Sequence, residues 1–181
     1  RSVQQTLDGG YVITGQTWDS DGIGGGSIEI LVIKTNSQGN EQMSKTYNWD
    51  GSGYSIQQTS DGGFIITGVL GYFNILVMKV DTYLNLESTF NSWHLGNGFG
   101  HSVQQTSDGG YIITGDDYED IVLIKTDSQG YEQWRKTLGG ETGHSVQQTS
   151  DGGYIITGKR YGNIILIKTD SQGNEQWIQD F

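Results

Sequence analysis

The 181-residue sequence contains no cysteine and no proline, and few of its charges are positive. The lack of cysteine excludes disulfide bridges, thiolate metal sites and cysteine nucleophiles. The lack of proline favours uninterrupted strand ladders, because proline cannot donate a hydrogen bond to such a ladder. Only 10 basic residues stand against 21 acidic ones, for a net charge of −11. Nucleic-acid partners are therefore not expected, since no basic cluster could neutralise phosphates.

Long apolar runs are also missing. None approaches the roughly 18 residues of a membrane-spanning helix, so no membrane span is expected. No signal peptide is visible, and the chain opens on Arg1 rather than on methionine. We interpret Arg1 as the end of a processed or excised segment whose export signal was lost or never included. The expected location is therefore extracellular or at the cell surface.

What the sequence has in abundance is repetition. A phrase typified by SVQQTSDGGYIITG begins at four places, which are Ser2, Ser55, Ser102 and Ser145. A second phrase, typified by IILIKTDSQGNEQW, follows each copy after a variable gap and begins at Ile30, Ile75, Ile121 and Ile164. A period of about 40 to 50 residues is typical of propellers, solenoids and tandem arrays.

Each repeat unit has the pattern of strands rather than of helices. In the third unit, β-branched and aromatic residues cluster over 110–115 and 121–126, between glycines and with period two. Asp-Gly in 107–110 and Ser-Gln-Gly in 127–130 are turn signals that divide the unit. We therefore expect four short antiparallel strands in each unit and almost no helix.

The third strand of each unit is apolar on both faces, so other elements must cover it on both sides. This predicts an all-β, four-bladed β-propeller of four-stranded antiparallel blades. The chain is expected to form a single domain over 1–181, with blades at about 2–50, 51–97, 98–141 and 142–181. We expect the ring to close by contact between the first and last blades. The four-bladed ring is the first choice, and an eight-bladed ring from two chains and a longer array remain alternatives. The Gly-Tyr or Gly-His lead-ins of later units have no counterpart before Ser2, which hints at a cut array.

The phrases TSDGGYIITG and IKTDSQGNEQW resemble the propeller repeats of secreted bacterial and archaeal proteins, including delta-60-like repeats. The closing Trp134 and Trp177 are also similar to blades of quinoprotein-type propellers. The resemblance covers nearly the whole chain and implies a fold rather than an activity, because such blades serve as scaffolds in many proteins. Two units depart from the pattern: the first has Met43 in place of the tryptophan, and the second lacks both the tryptophan and the turn glycine.

The connections between strands are expected to differ at the two ends of the blades. The short, repeated turns share one end, and the connections of variable length share the other, where recognition is normally placed. Aromatic rings beside carboxylates in these variable loops could stack on sugars, or they could fill gaps between blades. The rings expected to bind a ligand are Trp18, Trp49, Tyr72, Trp93, Tyr118 and Tyr161, with Phe73, His94 and Phe99 in the same loops.

Acidic loops suggest calcium as the one candidate cofactor. The expected ligands are Asp116, Asp117, Glu119 and Asp120, because hard oxygen ligands on a loop suit Ca²⁺. A solvated acidic loop is the alternative. The Asp-x-Asp that starts at Asp19 lacks the remaining ligands of an EF-hand loop.

Other polar positions recur in every unit and are expected to be structural. The glutamine pairs of the first strands predict a ladder that satisfies inner-strand polar groups. The repeated aspartates at positions 8, 61, 108 and 151 are expected to form turns. The strand-three lysines at positions 34, 79, 125 and 168 are expected to pair with Glu41, Glu132 and Glu175 of the following strands. His101 and His144 share one repeat position and are expected to be structural.

Enzyme motifs are absent from the sequence, although Asp50 and Asp117 could face each other as an acid–base pair. The first hypothesis is a non-catalytic binding module for carbohydrate or protein. The second is a self-associating structural subunit of a surface layer, filament or larger ring. The third is an enzyme, either a glycan-acting propeller or a quinoprotein-like oxidoreductase.

Overall fold

A computed structural model describes residues 1–19, 26–90 and 95–181, in which sixteen strands form four antiparallel sheets. Blade 1 contains β1 (Ser2–Gln5), β2 (Tyr11–Asp19), β3 (Ser27–Thr35) and β4 (Glu41–Tyr47). Blade 2 contains β5 (Gly51–Gln58), β6 (Phe64–Leu70), β7 (Asn74–Val80) and β8 (Leu86–Phe90). Blade 3 contains β9 (Phe99–Gln105), β10 (Tyr111–Asp116), β11 (Ile121–Thr126) and β12 (Glu132–Leu138). Blade 4 contains β13 (Thr142–Gln148), β14 (Tyr154–Arg160), β15 (Asn163–Thr169) and β16 (Glu175–Asp180).

The strand order in every sheet follows the chain, so each blade is a four-stranded meander. Within the described residues, helical backbone is limited to Leu95. The all-β prediction of four antiparallel blades is therefore confirmed. The short turns all lie at one end of the blades, called here the short-turn end, and the variable connections lie at the other, called the loop end.

Successive blades pack face to face. The core between blades 1 and 2 joins residues such as Val12 and Ile30 to Phe64 and Met78. Equivalent clusters fill the spaces between blades 2 and 3 and between blades 3 and 4. The inner strands β1, β5, β9 and β13 surround a central channel of about 210 Å³. In blades 2 and 3 the third strand has a neighbouring blade on each side, so its apolar residues are removed from water on both faces.

The predicted glutamine ladder is present between neighbouring inner strands. The Gln4 side-chain oxygen accepts from the backbone N–H of Gln58 at 2.5 Å, and Gln57 and Gln104 accept from the next blades at 2.6 Å. The second glutamine of the three later pairs acts in the opposite direction, as where Gln58 accepts from the backbone N–H of Leu7 at 2.8 Å. These amides satisfy free inner-edge donors, which confirms their structural role.

The predicted partners of the strand-three lysines were wrong. Lys34, Lys125 and Lys168 do not pair with Glu41, Glu132 and Glu175 of the following strands. Each lysine instead reaches the aspartate of the short turn between the first two strands of its own blade, at 2.8–2.9 Å. The acid on the following strand is reached only in blade 2, where Lys79 also contacts Glu87 at 2.8 Å.

The turn aspartates do form turns, as predicted. In blade 3, Asp108 accepts from the Thr106 hydroxyl at 2.5 Å and from the backbone N–H of Gly110 at 3.0 Å. Its added ion pair with the buried Lys125 ties the turn to the third strand. Burial raises the pKa of Asp108, but the Thr106 hydroxyl, Lys125 and the Gly110 N–H together outweigh it and lower the pKa to about 2.

The ring does not close in the way expected for a four-bladed propeller. Val3 of blade 1 is 64% exposed, whereas the equivalent Val103 and Val146 are 5% and 3% exposed. Ile164 of blade 4 is 66% exposed, whereas the equivalent Ile121 is fully buried. The four blades thus form an arc whose two outer faces do not cover each other, and the predicted closure between first and last blades is wrong.

Candidate functional site

A cavity of about 600 Å³ opens at the loop end of the channel. Its wall includes Arg1, Tyr54, His101 and His144, which occupy one repeat position immediately before the serine of each inner strand. We call these four residues the mouth quartet. The repeat thus places four side chains of three kinds around one opening, so the residue type varies at a position that the repeat keeps constant.

A β-bulge aims three members of the quartet into the mouth. The pairing of the inner strand shifts between Gly53 and Ser55, which leaves Tyr54 as the extra residue. The same shift leaves out His144 in blade 4, and it falls beside His101 in blade 3. Such bulges redirect a side chain and are common beside binding sites.

The glycine before each bulge permits the close approach of the preceding blade. A Cβ on Gly100 would lie 2.1 Å from the Thr67 hydroxyl oxygen of blade 2. That hydroxyl donates to the Leu76 carbonyl at 2.7 Å and is fully buried, so it cannot move aside. The rigid interface between blades therefore fixes where the bulge presents His101.

The quartet forms a continuous row of ring contacts across the mouth. The Arg1 guanidinium lies 4.9 Å from the ring centroid of Tyr54. The Tyr54 ring stacks on His101 with centroids 5.7 Å apart, and His144 follows at 5.9 Å from His101. Phe99 stacks on the same histidine at 6.2 Å. Rings arranged in this way offer flat apolar surface beside hydrogen-bonding nitrogens.

An acid fixes the central histidine of this row. The Nε2 atom of His101 lies 2.7 Å from the Asp116 carboxylate, which is 8% exposed as a residue. The carboxylate holds the ring at a fixed rotation, as a positioning acid does for a metal-binding or catalytic histidine. Burial, with a smaller effect of His101, lowers the pKa of the neighbouring His144. That histidine therefore presents a neutral imidazole nitrogen over more of the acidic range than a free one.

The expected calcium ligands divide into two groups. Asp116 points to the mouth and contacts His101, whereas Asp117 and Asp120 close a tight turn by a backbone hydrogen bond of 3.2 Å. Glu119 is exposed on that turn. In the part of the chain that the structure describes, no three His, Cys, Asp or Glu side chains come together as a metal site would require. A calcium site therefore stays a prediction.

The predicted aromatic ligand residues lie around the rim of the loop end rather than in the mouth. Four of them, Trp18, Tyr72, Tyr118 and Tyr161, are exposed. Trp49 is partly buried and packs against the core between blades 1 and 2, with its ring 5.8 Å from Tyr47. Trp93 lies outside the described residues, as does His94. Phe73 connects the rim to the mouth, with its ring 5.4 Å from that of Tyr118 and 5.7 Å from that of Phe99.

Two of the rim tyrosines have an unusual backbone. Tyr118 and Tyr161 have φ angles of 85° and 49°, in the left-handed region that glycine prefers. They occupy the same loop position, where blade 2 has Gly71 with a φ of 59°. Their rings are exposed, so burial does not offset the backbone cost. A strained residue whose side chain nevertheless stays largely exposed is an observation that favours a functional role.

Sequence reasoning did not identify the mouth quartet. It treated His101 and His144 as structural and left Arg1 and Tyr54 out of the site. The signal was available, because all four residues precede the serine of the repeated phrase. What the repeat could not show is the bulge, which turns an in-line strand residue into one that faces the channel mouth.

Known structures that resemble this chain share its architecture. The WD40 repeats of RRP9 match with a TM-score of 0.57 and 11% identity, over 99% of this chain and 56% of that one. A Bacteroides caccae protein of unknown function matches with a TM-score of 0.56 and 11% identity, over 99% of this chain and 81% of that one. The extracellular domain of the hybrid two-component system BT3049 from B. thetaiotaomicron matches with a TM-score of 0.53 and 13% identity, over 99% of this chain and 28% of that one.

These likenesses show the fold alone, which is of the β-propeller type. The chain spans about half the length of the RRP9 structure. No protein-family model and no curated protein matches the sequence. The resemblance to delta-60-like and quinoprotein-type repeats therefore holds for the architecture only. In the described part of the chain, no helix has the length and apolarity of a membrane span.

Proposed function

We propose that this protein is a non-catalytic binding module that holds its ligand at the loop end of the channel. The observation that carries the proposal is the mouth itself, a cavity of about 600 Å³ where stacked rings meet a guanidinium, two imidazoles and a carboxylate. Such a cavity, mostly preformed and lined by rings with a few fixed polar groups, has the character of a ligand site. The rim tyrosines extend this surface outward.

A carbohydrate is the ligand that the mouth and rim fit best. Exposed rings such as Tyr72 and Tyr161 can stack on the apolar faces of sugar rings. Asp116, His101 and Arg1 supply acceptors and donors for sugar hydroxyls in the adjoining cavity. The ring contacts that run from Tyr118 through Phe73 to Phe99 favour an oligosaccharide that reaches from the rim inward.

A protein ligand is the second candidate. Tyrosine and tryptophan with two side-chain torsions give large contact area at a small entropy cost, so they are enriched in protein interfaces. The exposed Trp18, Tyr118 and Tyr161 surround the mouth in that manner. An acidic chain with a net charge of −11 would favour a basic surface on the partner.

The finer expectations belong to the same proposal. An extracellular or cell-surface location is supported by the likeness to an extracellular domain from B. thetaiotaomicron. A relation to secreted bacterial and archaeal repeat proteins rests on the repeated phrases. Self-association is a separate proposal, supported by the uncovered outer faces of blades 1 and 4.

A glycan-acting enzyme remains the catalytic alternative. It would need a pair of carboxyl groups on either side of a glycosidic bond. Asp116 is at the mouth but is engaged by His101, and Asp50 lines a second cavity, of which Asp116 is not part. Turnover of a bound saccharide would contradict the non-catalytic proposal.

Binding to a glycan array and to a set of immobilised polypeptides tests the proposal. We expect Tyr72→Ala and Tyr161→Ala each to weaken binding about tenfold, since a buried aromatic contact contributes roughly 1–2 kcal/mol. The matched controls are Tyr83→Ala and Tyr131→Ala, which remove equally exposed rings from the short-turn end. Equal losses in both pairs, or no binding to either class of ligand, would contradict the proposal.

A further inference from the structure

The two outer faces of the arc are the two halves of an interface that the chain already forms three times. In each internal interface, one face of a blade packs against the opposite face of the next blade. Blade 4 presents the first kind of face outward, and blade 1 presents the second kind. We propose that a second copy of this chain joins these faces head to tail, blade 4 of each copy on blade 1 of the other, and closes a ring of two chains.

The exposed face of blade 4 has the same composition as the buried faces inside the arc. Ile164 and Thr157 are exposed there, whereas their equivalents Ile121 and Thr114 in blade 3 are fully buried. In the internal interface, Thr114 packs against the next blade so closely that a Cβ on Gly143 would lie 2.3 Å from its hydroxyl oxygen. Blade 4 thus carries an interface side chain that has no blade to pack against.

The exposed face of blade 1 matches from the other side. Val3 and Tyr11 are 64% and 36% exposed, whereas the equivalents Val146 and Tyr154 of blade 4 are 3% and 2% exposed. In repeat proteins, the terminal units need a polar outer face to stay soluble. Both outer faces instead expose apolar side chains, so each still resembles one side of an internal interface.

One aromatic pair identifies which residues would meet. Inside the arc, Trp134 of blade 3 packs edge to face on Tyr154 of blade 4, with centroids 5.8 Å apart. Trp177 occupies the same position in blade 4 and is 46% exposed. Tyr11 occupies the position of Tyr154 in blade 1. Head-to-tail packing would therefore place Trp177 of one copy on Tyr11 of the other.

The hydrogen bonds between neighbouring inner strands also have matching donor and acceptor groups at the two ends of the arc. Inside the arc, Gln104 accepts from the backbone N–H of Gln148 at 2.6 Å. The equivalent groups at the ends are the Gln147 side chain and the backbone N–H of Gln5. Within residues 1–19, 26–90 and 95–181, no such bond links blade 4 to blade 1. A second copy supplies each end with the partner that the repeat uses elsewhere.

Two copies are the expected number. A head-to-tail interface either closes into a ring or continues into a filament. The four inner strands already curve around one channel, and two chains would supply eight blades, at the upper end of the common range for propellers. Three chains would exceed that range. This inference deepens the proposed self-association and is independent of the ligand at the loop end.

Mass measurement on the 181-residue chain gives the first test. We expect twice the 19.9 kDa of one chain, with no further growth as the concentration rises. Trp177→Asp should raise the dissociation constant of the pair at least tenfold, because the charge has no partner in the interface. The control is Trp18→Asp at the loop end, which should leave the mass unchanged. The circular dichroism of both variants should match that of the parent.

Cross-linking gives the second test. Because the chain has no cysteine, a thiol-specific linker reacts only with the introduced residues. One copy carries Val3→Cys and a co-expressed copy carries Ser145→Cys, and the two should join through a short thiol-specific linker. The reason is that the equivalent residues inside the arc are neighbours, since the Val146 N and Ser102 Oγ atoms lie 3.4 Å apart. Copies that all carry Val3→Cys should not join.

The outcomes separate the interface from self-association in general. A single-chain mass at high concentration would overturn both. A pair that survives Trp177→Asp, or that joins through Val3→Cys alone, would overturn the head-to-tail junction while leaving self-association in place. A mass that keeps growing would overturn closure by two copies.

Discussion

At the short-turn end the four blades are almost identical, whereas at the loop end no two connections match. The same sixteen strands lead to both ends, so the difference cannot come from the scaffold. At the short-turn end each blade repeats one threonine, one aspartate and one lysine in mutual contact. At the loop end one repeat position carries arginine, tyrosine and two histidines. Residues that repeat in every blade thus indicate a role in stability, and a position whose residue changes from blade to blade indicates a role in recognition.

Residues with a left-handed backbone make the comparison sharper. Leu84 has a φ of 61° in a short turn where the other blades have glycine, and it is 1% exposed. The Tyr47 hydroxyl donates to its carbonyl at 2.6 Å. Burial therefore offsets the backbone cost at the short-turn end. At the loop end Tyr118 is 53% exposed, and its edge-to-face contact with Phe73 gives a smaller offset.

The largest expected effect is that of Leu84→Ala. Removal of a fully buried leucine should lower the free energy of unfolding by about 3 kcal/mol, because apolar burial is lost and a cavity remains. Chemical denaturation measures this change. The control is Tyr83→Ala in the same turn, where an exposed ring is removed and a change within about 0.5 kcal/mol is expected. A loss no greater than that of the control would show that Leu84 is not packed as described.

The second prediction concerns acid. Asp61 and Asp108 both have a pKa of about 2 in the folded protein, against an ordinary value of 3.8. The unfolded chain therefore takes up protons first, so stability is fully present above about pH 4 and is lost as the pH falls toward 2. Each carboxylate is more than half exposed, so its share is only about 1 kcal/mol.

Thermal melting from pH 7 to pH 2 measures this loss. Asp108→Asn should lower the stability at pH 7 by about 1 kcal/mol and should flatten the acid branch of the profile. The control is Asp117→Asn at the loop end, which makes no ion pair and should leave the profile unchanged. Parallel curves for Asp108→Asn and the parent would show that the ion pair with Lys125 does not contribute.

The features that could be predicted from the sequence are mostly those that repeat in every blade. The repeated phrases predicted the strands and the turns, because each depends on residues near one another in the chain. They also predicted the glutamine ladder, because the glutamine pair recurs at the same position of every inner strand. The partner of Lys125 was wrongly predicted, since the aspartate 17 residues earlier and the acids of the next strand are equally plausible on spacing alone. The mouth quartet was missed because a bulge depends on how two strands pair. Ring closure was wrongly predicted because the angle between blades depends on packing over the whole arc.

The smallest expected effect is at Tyr118, where glycine should be a more stable replacement than alanine, the reverse of the usual order. At Tyr118, with a φ of 85°, substitution by glycine should give a protein about 1 kcal/mol more stable than substitution by alanine, because only glycine adopts this backbone without cost. At the neighbouring Glu119, which does not have a left-handed backbone, alanine should be the more stable of the two. Chemical denaturation of the four variants measures both differences. If Tyr118→Gly binds ligand as weakly as Tyr118→Ala while gaining stability, the ring is retained for recognition at the expense of the fold. A preference for alanine at both positions would remove the backbone argument for a functional tyrosine.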